Sequence, residues 1–450
     1  MLIRFICENF LSFGNEKSAF EFLNTAASKT KSLPDHVVKI SPNISVLRGA
    51  VIYGANASGK TNFIKAINFA KNIIESYKEG IEEHNLISHQ NKFCKSDKSR
   101  FVFEFKLEDL IYEYGFEITS KEVVSEWLKS TNLNGKREKT LFEREGNKIT
   151  NDKEISVIVK KEKKDENFFK YLKKAIKPNQ LLLHRLLSDN VGFANDLLRW
   201  FAKIVVVRDF DHSSYFFSEK LFGFAEEILM KIDNRVNGLR QKKEELTKAS
   251  DIVGMPFEYA EKLFSTLENH AKSAKKGIII AESSNGDHLY FSVGDKGLKY
   301  QHELLIKRNG QEFNLKQESD GIRKIFDLIP MLFTVKSKPI KVEDQKSIFI
   351  IDEIQQSLHP HIAEEIIKMF FELGKNSESQ IIFTTHDTNL LNLSLLRKDE
   401  IWFTEKDKNL NTHFTSLAEF KDVREDLVIS KGYLQGRFGA IPFIGNWRGE

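Results

Sequence analysis

Cysteine is nearly absent from this 450-residue chain, which carries only Cys7 and Cys94. Two thiols cannot build a disulfide framework or a four-thiolate zinc site, which fits a reducing compartment. Proline is also scarce, with 8 residues against 37 phenylalanines. That balance argues for an ordered chain with bulky apolar side chains to bury. No apolar run approaches the roughly 20 residues that span a bilayer, and the first residues lack the pattern of a secretory leader. A cytoplasmic protein with no membrane partner is therefore expected. An excess of one charge is missing too: 68 Lys plus Arg stand against 64 Asp plus Glu, a net charge of +4. This is too balanced for a polyanion-wrapping protein, so the charge neither implies nor excludes nucleic acid. There is no internal repeat or low-complexity tract. The length exceeds that of one compact core, so one large head with an insertion, or two domains, is expected.

What is present is organised around Gly54-Ala55-Asn56-Ala57-Ser58-Gly59-Lys60-Thr61, which fits the Gly, four residues, Gly-Lys-Thr pattern of a phosphate-binding loop. The apolar run from Leu47 to Tyr53 predicts a buried strand before it. Phe63, Ile67, Ala70 and Ile74 predict one face of a helix over Asn62 to Tyr77 after it. In such a loop the glycines let successive N–H groups point at the phosphates, Lys60 reaches the terminal phosphates and Thr61 offers a hydroxyl to Mg²⁺. ATP and Mg²⁺ are the expected cofactors.

Along the chain, Met1 to Phe13 predicts a first strand that turns at Gly14 and pairs beside the P-loop strand. Phe101–Phe105 and Tyr112–Ile118 alternate with period two about Glu108-Asp109 and predict an antiparallel hairpin. Short strands continue over Val123 to Asn151. Lys153 to Lys177 is loaded with lysine around Phe168, Phe169, Tyr171 and Leu172; it reads as a solvated helix face with an apolar stripe, or as a face that touches phosphate backbones. The steps of three and four in Leu221, Ala225, Ile228, Ile232, Val236 and Leu239, and again in Phe257, Ala260, Leu263, Leu267 and Ala271, predict a helical hairpin. Such an arm serves partner contacts or packs on its own head. Strands return over Gly277 to Ile306, with Asn285-Gly286 as a turn.

The second half supplies the acids. Ile348–Ile351 is a buried strand that carries Asp352 to the metal, with Glu353 just past its end, where a water must be activated. Gln380–Thr385 is another strand, ending at His386-Asp387, and His386 is placed to read the γ-phosphate or orient the water. A third strand runs over Glu400 to Thr404. Strands alternating with helices imply a parallel sheet covered on both faces. His359 and His361 beside Pro360 read as structural or capping residues, and no trio of residues has metal spacing.

Together the Gly-Ala-Asn-Ala-Ser-Gly-Lys-Thr-Asn loop, Glu318-Ser319-Asp320-Gly321 opening a helix, Ile351-Asp352-Glu353, Ser357-Leu358-His359-Pro360 and Thr384-Thr385-His386-Asp387 resemble an ABC-type ATPase head of the kind shared by SMC, RecF and Rad50 proteins. The resemblance implies an α/β P-loop head with a mixed β-sheet, an antiparallel β lobe and an inserted helical arm. It implies a nucleotide-binding set of Gly54, Asn56, Ala57, Ser58, Gly59, Lys60, Thr61 and Asn62, with Thr61 and Asp352 on Mg²⁺, Glu353 as catalytic base and His386 as switch. It also implies that two copies sandwich ATP, with Ser319 and Gly321 contacting the γ-phosphate in trans and Ser357, Leu358 and His359 forming the D-loop. Asp320 stands where the usual Leu-Ser-Gly-Gly-Gln signature has a glycine.

A narrower similarity runs from Asn9–Phe13 through Leu141–Glu145 and Arg397–Trp402 to the tail Lys431–Pro442. The chain resembles the stand-alone AAA-15/AAA-21 ATPases of bacterial abortive-infection and anti-phage modules, the RloA- and AbiL-like group. That group implies an effector encoded nearby, a Toprim-like or other nuclease or toxin, which the ATPase holds or licenses. In the tail, Arg424, Lys431 and Arg437 stand after the last strand and reach a phosphate, a neighbouring subunit or only solvent. A fused Toprim domain needs a further carboxylate set after the head. The one Asp-x-Asp, at Asp209-Phe210-Asp211, precedes the acidic strand instead and reads as turn acids.

The expected division is 1–120 for the first half of the head, 121–300 for an insertion with the helical arm at about 215–275, and 301–450 for the second half. Nearly 300 residues separate Lys60 from Asp352, which leaves the insertion available to a partner. The expected protein is an ATPase, homodimeric or of higher order, whose ATP-dependent association controls an effector. The rival is a RecF-like DNA-binding repair or tethering ATPase.

Overall fold

The computed structural model describes the whole chain except residues 16–17, 24–31, 77–80, 82–85, 134–136, 166, 208–213, 274–277, 285–287, 338–345, 422, 424–427 and 442–450. The Asp209-Phe210-Asp211 acids, the Asn285-Gly286 turn and Arg424 lie outside the described residues. The chain folds as two compact units, Met1–Arg208 with Val335–Gln355 and Ala363–Glu450, and Asp209–Thr334 with Gln356–Ile362.

In the first unit a six-stranded sheet has the order Ile204–Val207, Ile348–Ile351, Gln380–Thr385, Gly49–Tyr53, Ile401–Lys406, Thr412–Ser416. The first five strands are parallel and the last is antiparallel to its neighbour. Every residue of Gly49–Tyr53, Ile348–Ile351 and Gln380–Thr385 is buried, as continuous apolar runs covered on both faces must be.

A second, seven-stranded antiparallel sheet holds Leu2–Glu8 between Ser18–Glu21 and Ser99–Leu107, and continues through the expected hairpin partner Leu110–Ile118 to Val123–Asn132, Glu138–Glu145 and Lys148–Thr150. The helix Lys60–Glu75 shares one core with both sheets. Its Phe63 meets Phe5 of the antiparallel sheet at 5.9 Å and Phe414 of the parallel one at 5.1 Å between ring centroids.

The expectation that the first strand pairs beside the P-loop strand is corrected. Both edges of Gly49–Tyr53 are taken, by Gln380–Thr385 and Ile401–Lys406, and Leu2–Glu8 joins the other sheet. The buried Gln380 side chain links the two: it accepts from the Leu2 N–H at 2.6 Å and donates to the carbonyls of Leu2 and Leu47, each at 2.9 Å.

The expected insertion at 121–300 divides. Its strands up to Val207 and the helices Lys153–Lys163 and Phe168–Ala175 belong to the first unit. Those helices bury Ile155, Val159, Phe169 and Leu172 and expose Lys160, Lys161, Lys170 and Lys174, which is the solvated-face arrangement.

The second unit has an antiparallel sheet ordered Gly238–Leu246, Lys299–Arg308, His288–Val293, Ile278–Glu282, with Gln311–Asn314 also on Lys299–Arg308. The helix Phe257–Lys272 covers it through a core of Leu246, Ala260, Leu267, Leu289, Phe291 and Val293. The predicted helical hairpin is therefore corrected to helix, strand, helix. Glu219–Ile232 is helical, but Asp233 is already extended, and Leu239 lies in a strand paired with Lys299–Arg308 over its whole length. The turn formers Asp233-Asn234 and Asn237-Gly238 end the helix. Beyond them Gly-Leu-Arg-Gln-Lys-Lys-Glu-Glu-Leu has almost no apolar alternation, so only its partner strand makes it a strand. Among the described residues no helix is long and apolar enough to cross a membrane.

Candidate functional site

Three parallel strands end side by side in the first unit, with the register Ile351 to Phe383 and Thr385 to Tyr53. The residues just beyond these strand ends are therefore gathered at one edge, where open α/β sheets bind ligands. The P-loop comes directly after Tyr53, Asp352 and Glu353 after Ile351, and His386 after Thr385.

The loop needs its glycines for space and for backbone angle. A Cβ on Gly54 would sit 2.2 Å from Thr404 Oγ1 and 2.4 Å from Ser58 Oγ. Gly59, at φ +117°, caps the helix Lys60–Glu75, and a Cβ there would meet Thr412 Oγ1 at 2.1 Å. Ala57 is also left-handed, at φ +66°. The outer wall is a hydroxyl chain. Thr404 Oγ1 donates to the Tyr53 carbonyl at 3.0 Å and bonds Ser58 Oγ at 2.7 Å, while Thr412 Oγ1 lies 2.8 Å from both the Ser58 carbonyl and Ser12 Oγ. Asn62, expected on the nucleotide, donates to Ser12 Oγ at 2.9 Å.

Lys60 is buried and curls back, its Nζ donating to the carbonyls of Gly54 at 2.6 Å and Ala55 at 3.1 Å. Burial lowers its pKa, opposed by the carboxylates of Glu353 and Asp352. An ammonium held against the loop carbonyls of Gly54 and Ala55 and faced by two acids suits a phosphate chain with a hard cation.

Thr384 ties the two acids together. Its hydroxyl donates to Asp352 Oδ1 at 2.6 Å and accepts from the Glu353 N–H at 2.8 Å. Glu353 itself is left-handed at φ +48°, so its side chain leaves the strand direction. Glu353 Oε1 lies 4.0 Å from His386 Nδ1, which Gln355 Nε2 meets at 3.0 Å. The Tyr53 hydroxyl donates to the carbonyl of Asp387 at 3.2 Å, bracing the His386-Asp387 segment against the P-loop strand.

Among the described residues no group of three or more His, Cys, Asp or Glu is disposed to hold a metal. Thr61 and Asp352 supply one hydroxyl and one carboxylate, a donor set that suits Mg²⁺ completing its shell with phosphate and water.

The second unit gathers the other expected residues. Ser319 Oγ accepts from the Ile322 N–H at 3.4 Å at the start of Asp320–Lys336. A Cβ on Gly321 would meet the Ser357 carbonyl at 2.7 Å, so the glycine permits the close approach of this segment to Ser357. Ser357 is left-handed at φ +62°. Asp320, in place of a glycine, pairs with Arg323. The structure thus brings together the P-loop, Asp352, Glu353 and His386 in one unit, and Ser319, Gly321 and Ser357–His359 in the other.

The sequence assigns no site role to Ser12, Thr384, Thr404 or Thr412, although Ser12 and Thr384 lie within stretches that carry the resemblance. Their partners lie up to 400 residues away; only the paired Thr384-Thr385 closing a buried strand hinted at a role.

The family model described as "AAA domain, putative AbiEii toxin, Type IV TA system" matches residues 50–392, a span that contains every residue of both groups. The curated protein Endonuclease GajA of Bacillus cereus (strain HuB5-5) is similar at 21% identity over 476 residues, covering 94% of this chain and 62% of that protein. The chain thus spans less than two thirds of that relative's length. Among solved structures, an SMC head bound to the C-winged helix domain of ScpA is similar at 14% identity with a TM-score of 0.42, covering 93% of this chain and 98% of that one. The SMC head domain from Thermotoga maritima is similar at 13% identity with a TM-score of 0.33, covering 92% and 98%.

Proposed function

We propose, from the premise that this chain belongs to the family of AAA domains just described, that it binds ATP with Mg²⁺ and hydrolyses it. The observation that carries this reading is the Thr384 hydroxyl, bonded at once to Asp352 and to Glu353 on the strand beside the P-loop strand. Lys60 and the loop N–H groups bind and orient the phosphates, with Thr61 and Asp352 holding Mg²⁺. The cation, when bound, offsets the charge that builds on the transferred phosphoryl group. Glu353 takes the proton of the attacking water, and His386, 4.0 Å away, orients that water.

Glu353→Gln tests the assignment, because the amide keeps the shape but cannot accept the proton. ATP binding persists and turnover falls by about 10²- to 10⁴-fold. A variant that retains half the wild-type rate rejects Glu353 as the base.

In the finer reading, ATP drives two or more copies together, with Ser319 and Gly321 of one serving the nucleotide of the other. That association controls an effector encoded nearby, a nuclease or toxin, in anti-phage defence in the cytoplasm. The family's description as part of a toxin system and the likeness to a protein named an endonuclease support it. Co-expression with the adjacent gene product, then mass measurement with and without ATP and Mg²⁺, tests it; a monomer with no partner under both conditions refutes it.

The DNA-binding rival would use the exposed lysines of Lys153–Lys163 and Phe168–Ala175. Salt-dependent binding of duplex DNA that Lys161→Glu with Lys174→Glu abolishes would establish that rival.

A further inference from the structure

The second unit holds a cavity of about 900 Å³ whose lining includes Ser319, Gly321, Ser357 and His359, and also Arg235 and Arg308. Nothing in the sequence motifs accounts for these two arginines. Arg308 lies near the end of strand Lys299–Arg308 and bonds Glu318 through Nε at 2.8 Å and Nη2 at 3.0 Å, and Asp233 through Nη1 at 2.7 Å. Asp233 in turn takes the fork of Arg235, with Nε at 2.9 Å and Nη2 at 3.1 Å. Two cations and two carboxylates balance, so the cluster carries no uncompensated charge. Arg308, Asp233 and Glu318 are mostly buried, whereas the Arg235 side chain is 77% exposed.

Arg235 is thus ordered and accessible together. Asp233 fixes the plane of its guanidinium, and Nη1 has no described partner, which leaves donors for an oxyanion. The remaining charged lining residue, Lys231, is tied to Glu227 at 2.6 Å. Lys231 is thus balanced by Glu227, so what the lining offers an anion is the free donor edge of Arg235 rather than a net charge. The Nη1 edge left free by Asp233 can donate to a polyphosphate oxygen.

We propose that Arg235 contacts, beside Ser319, the phosphates of a nucleotide held on the P-loop of a second copy of this chain. This rests on the reading that Ser319 serves a neighbour's nucleotide. The guanidinium meets negative charge that grows as the terminal phosphoryl group departs, so its effect falls on turnover more than on binding, which Lys60 secures within the other copy.

The test mixes variants. Arg235→Ala, at an exposed position, keeps its thermal midpoint and its ATP affinity within about twofold, while kcat falls by about 10- to 1000-fold. Arg235→Lys keeps the charge without the fork and falls between the two. Lys60→Ala alone is inactive. An equal mixture of Arg235→Ala and Lys60→Ala recovers about a quarter of the wild-type rate, because half the dimers are mixed and each of those has one complete site. Ser319→Arg mixed with Lys60→Ala runs in parallel.

If that second mixture recovers activity and the first does not, or if Arg235→Ala turns over at the wild-type rate, Arg235 is not a trans contact and the sandwich reading stands. If neither mixture recovers, the sandwich itself is wrong and the inference goes with it.

Discussion

Thr384→Val removes one oxygen and almost nothing else. Valine matches threonine in shape and suits a buried strand, and Thr384 is fully buried. Its hydroxyl makes a charge-assisted bond to Asp352 at 2.6 Å and accepts the Glu353 N–H at 2.8 Å. A bond to a charged group contributes about 1.5–3 kcal/mol, and an N–H left unpaired costs about 1–3 kcal/mol. Because the Glu353 side chain is 40% exposed, water recovers part of this loss, leaving about 2–3 kcal/mol in the placement of the two acids. Expressed in the transition state, that is a fall in kcat of about 30- to 150-fold. Phosphate release at saturating ATP and Mg²⁺ measures it, with nucleotide affinity as the control on the Lys60 loop. Thr384→Ser keeps the oxygen and stays within about fivefold of wild type. A valine variant within threefold of wild type, or a serine variant as impaired as valine, refutes the placement of both acids by this hydroxyl.

Gly59→Ala forces a side chain onto a φ of +117° and against Thr412 at 2.1 Å; ATP affinity, read by calorimetry, is expected to disappear. In the antiparallel sheet, Glu126 accepts from Tyr114 at 2.9 Å and from the Leu182 and Leu183 N–H groups, 3.6 Å from buried Arg144. Glu126→Leu leaves that arginine, which keeps its bonds to the carbonyls of Gly146, Gln180 and Lys177, without a counter-charge and lowers stability by about 3–5 kcal/mol, read as a shift of the urea midpoint; an unchanged midpoint would contradict the pairing. His302 bonds Ser292 at 2.7 Å, and burial, aided by Lys243, pulls its pKa from 6.5 down to about 4. Between those values the unfolded chain takes up a proton that the folded chain refuses. The contribution of His302 is therefore whole above pH 6.5 and is lost as the pH falls toward 4. His302→Gln flattens the fall in thermal midpoint over that window, and an identical fall in both proteins would rule the histidine out.

The parts of the candidate site are legible in the amino-acid order because each is a contiguous stretch with local chemistry: Gly54 to Thr61, Ile348 to Glu353 and Gln380 to His386. Glycine is needed where the backbone must pass close to a ligand, and a continuous apolar run where a strand is buried on both faces. The helices bearing Phe63 and Ile228 were legible for the same reason, since their periodicity repeats within a few residues.

Features that depend on distant partners emerge only in the folded chain. Gly238–Leu246 reads like a polar helix and becomes a strand because Lys299–Arg308 offers it a full ladder of partners, a long-range term that outweighs weak local propensity. Leu2–Glu8 joins the antiparallel sheet because both edges of the P-loop strand are filled by segments more than 300 residues later. Thr384, Thr404, Thr412 and Ser12 look like ordinary hydroxyls in sequence. They become the scaffold of the site only when strands distant along the chain bring the oxygens within hydrogen-bond reach, because a hydrogen bond depends on a few tenths of an ångström that no spacing rule encodes.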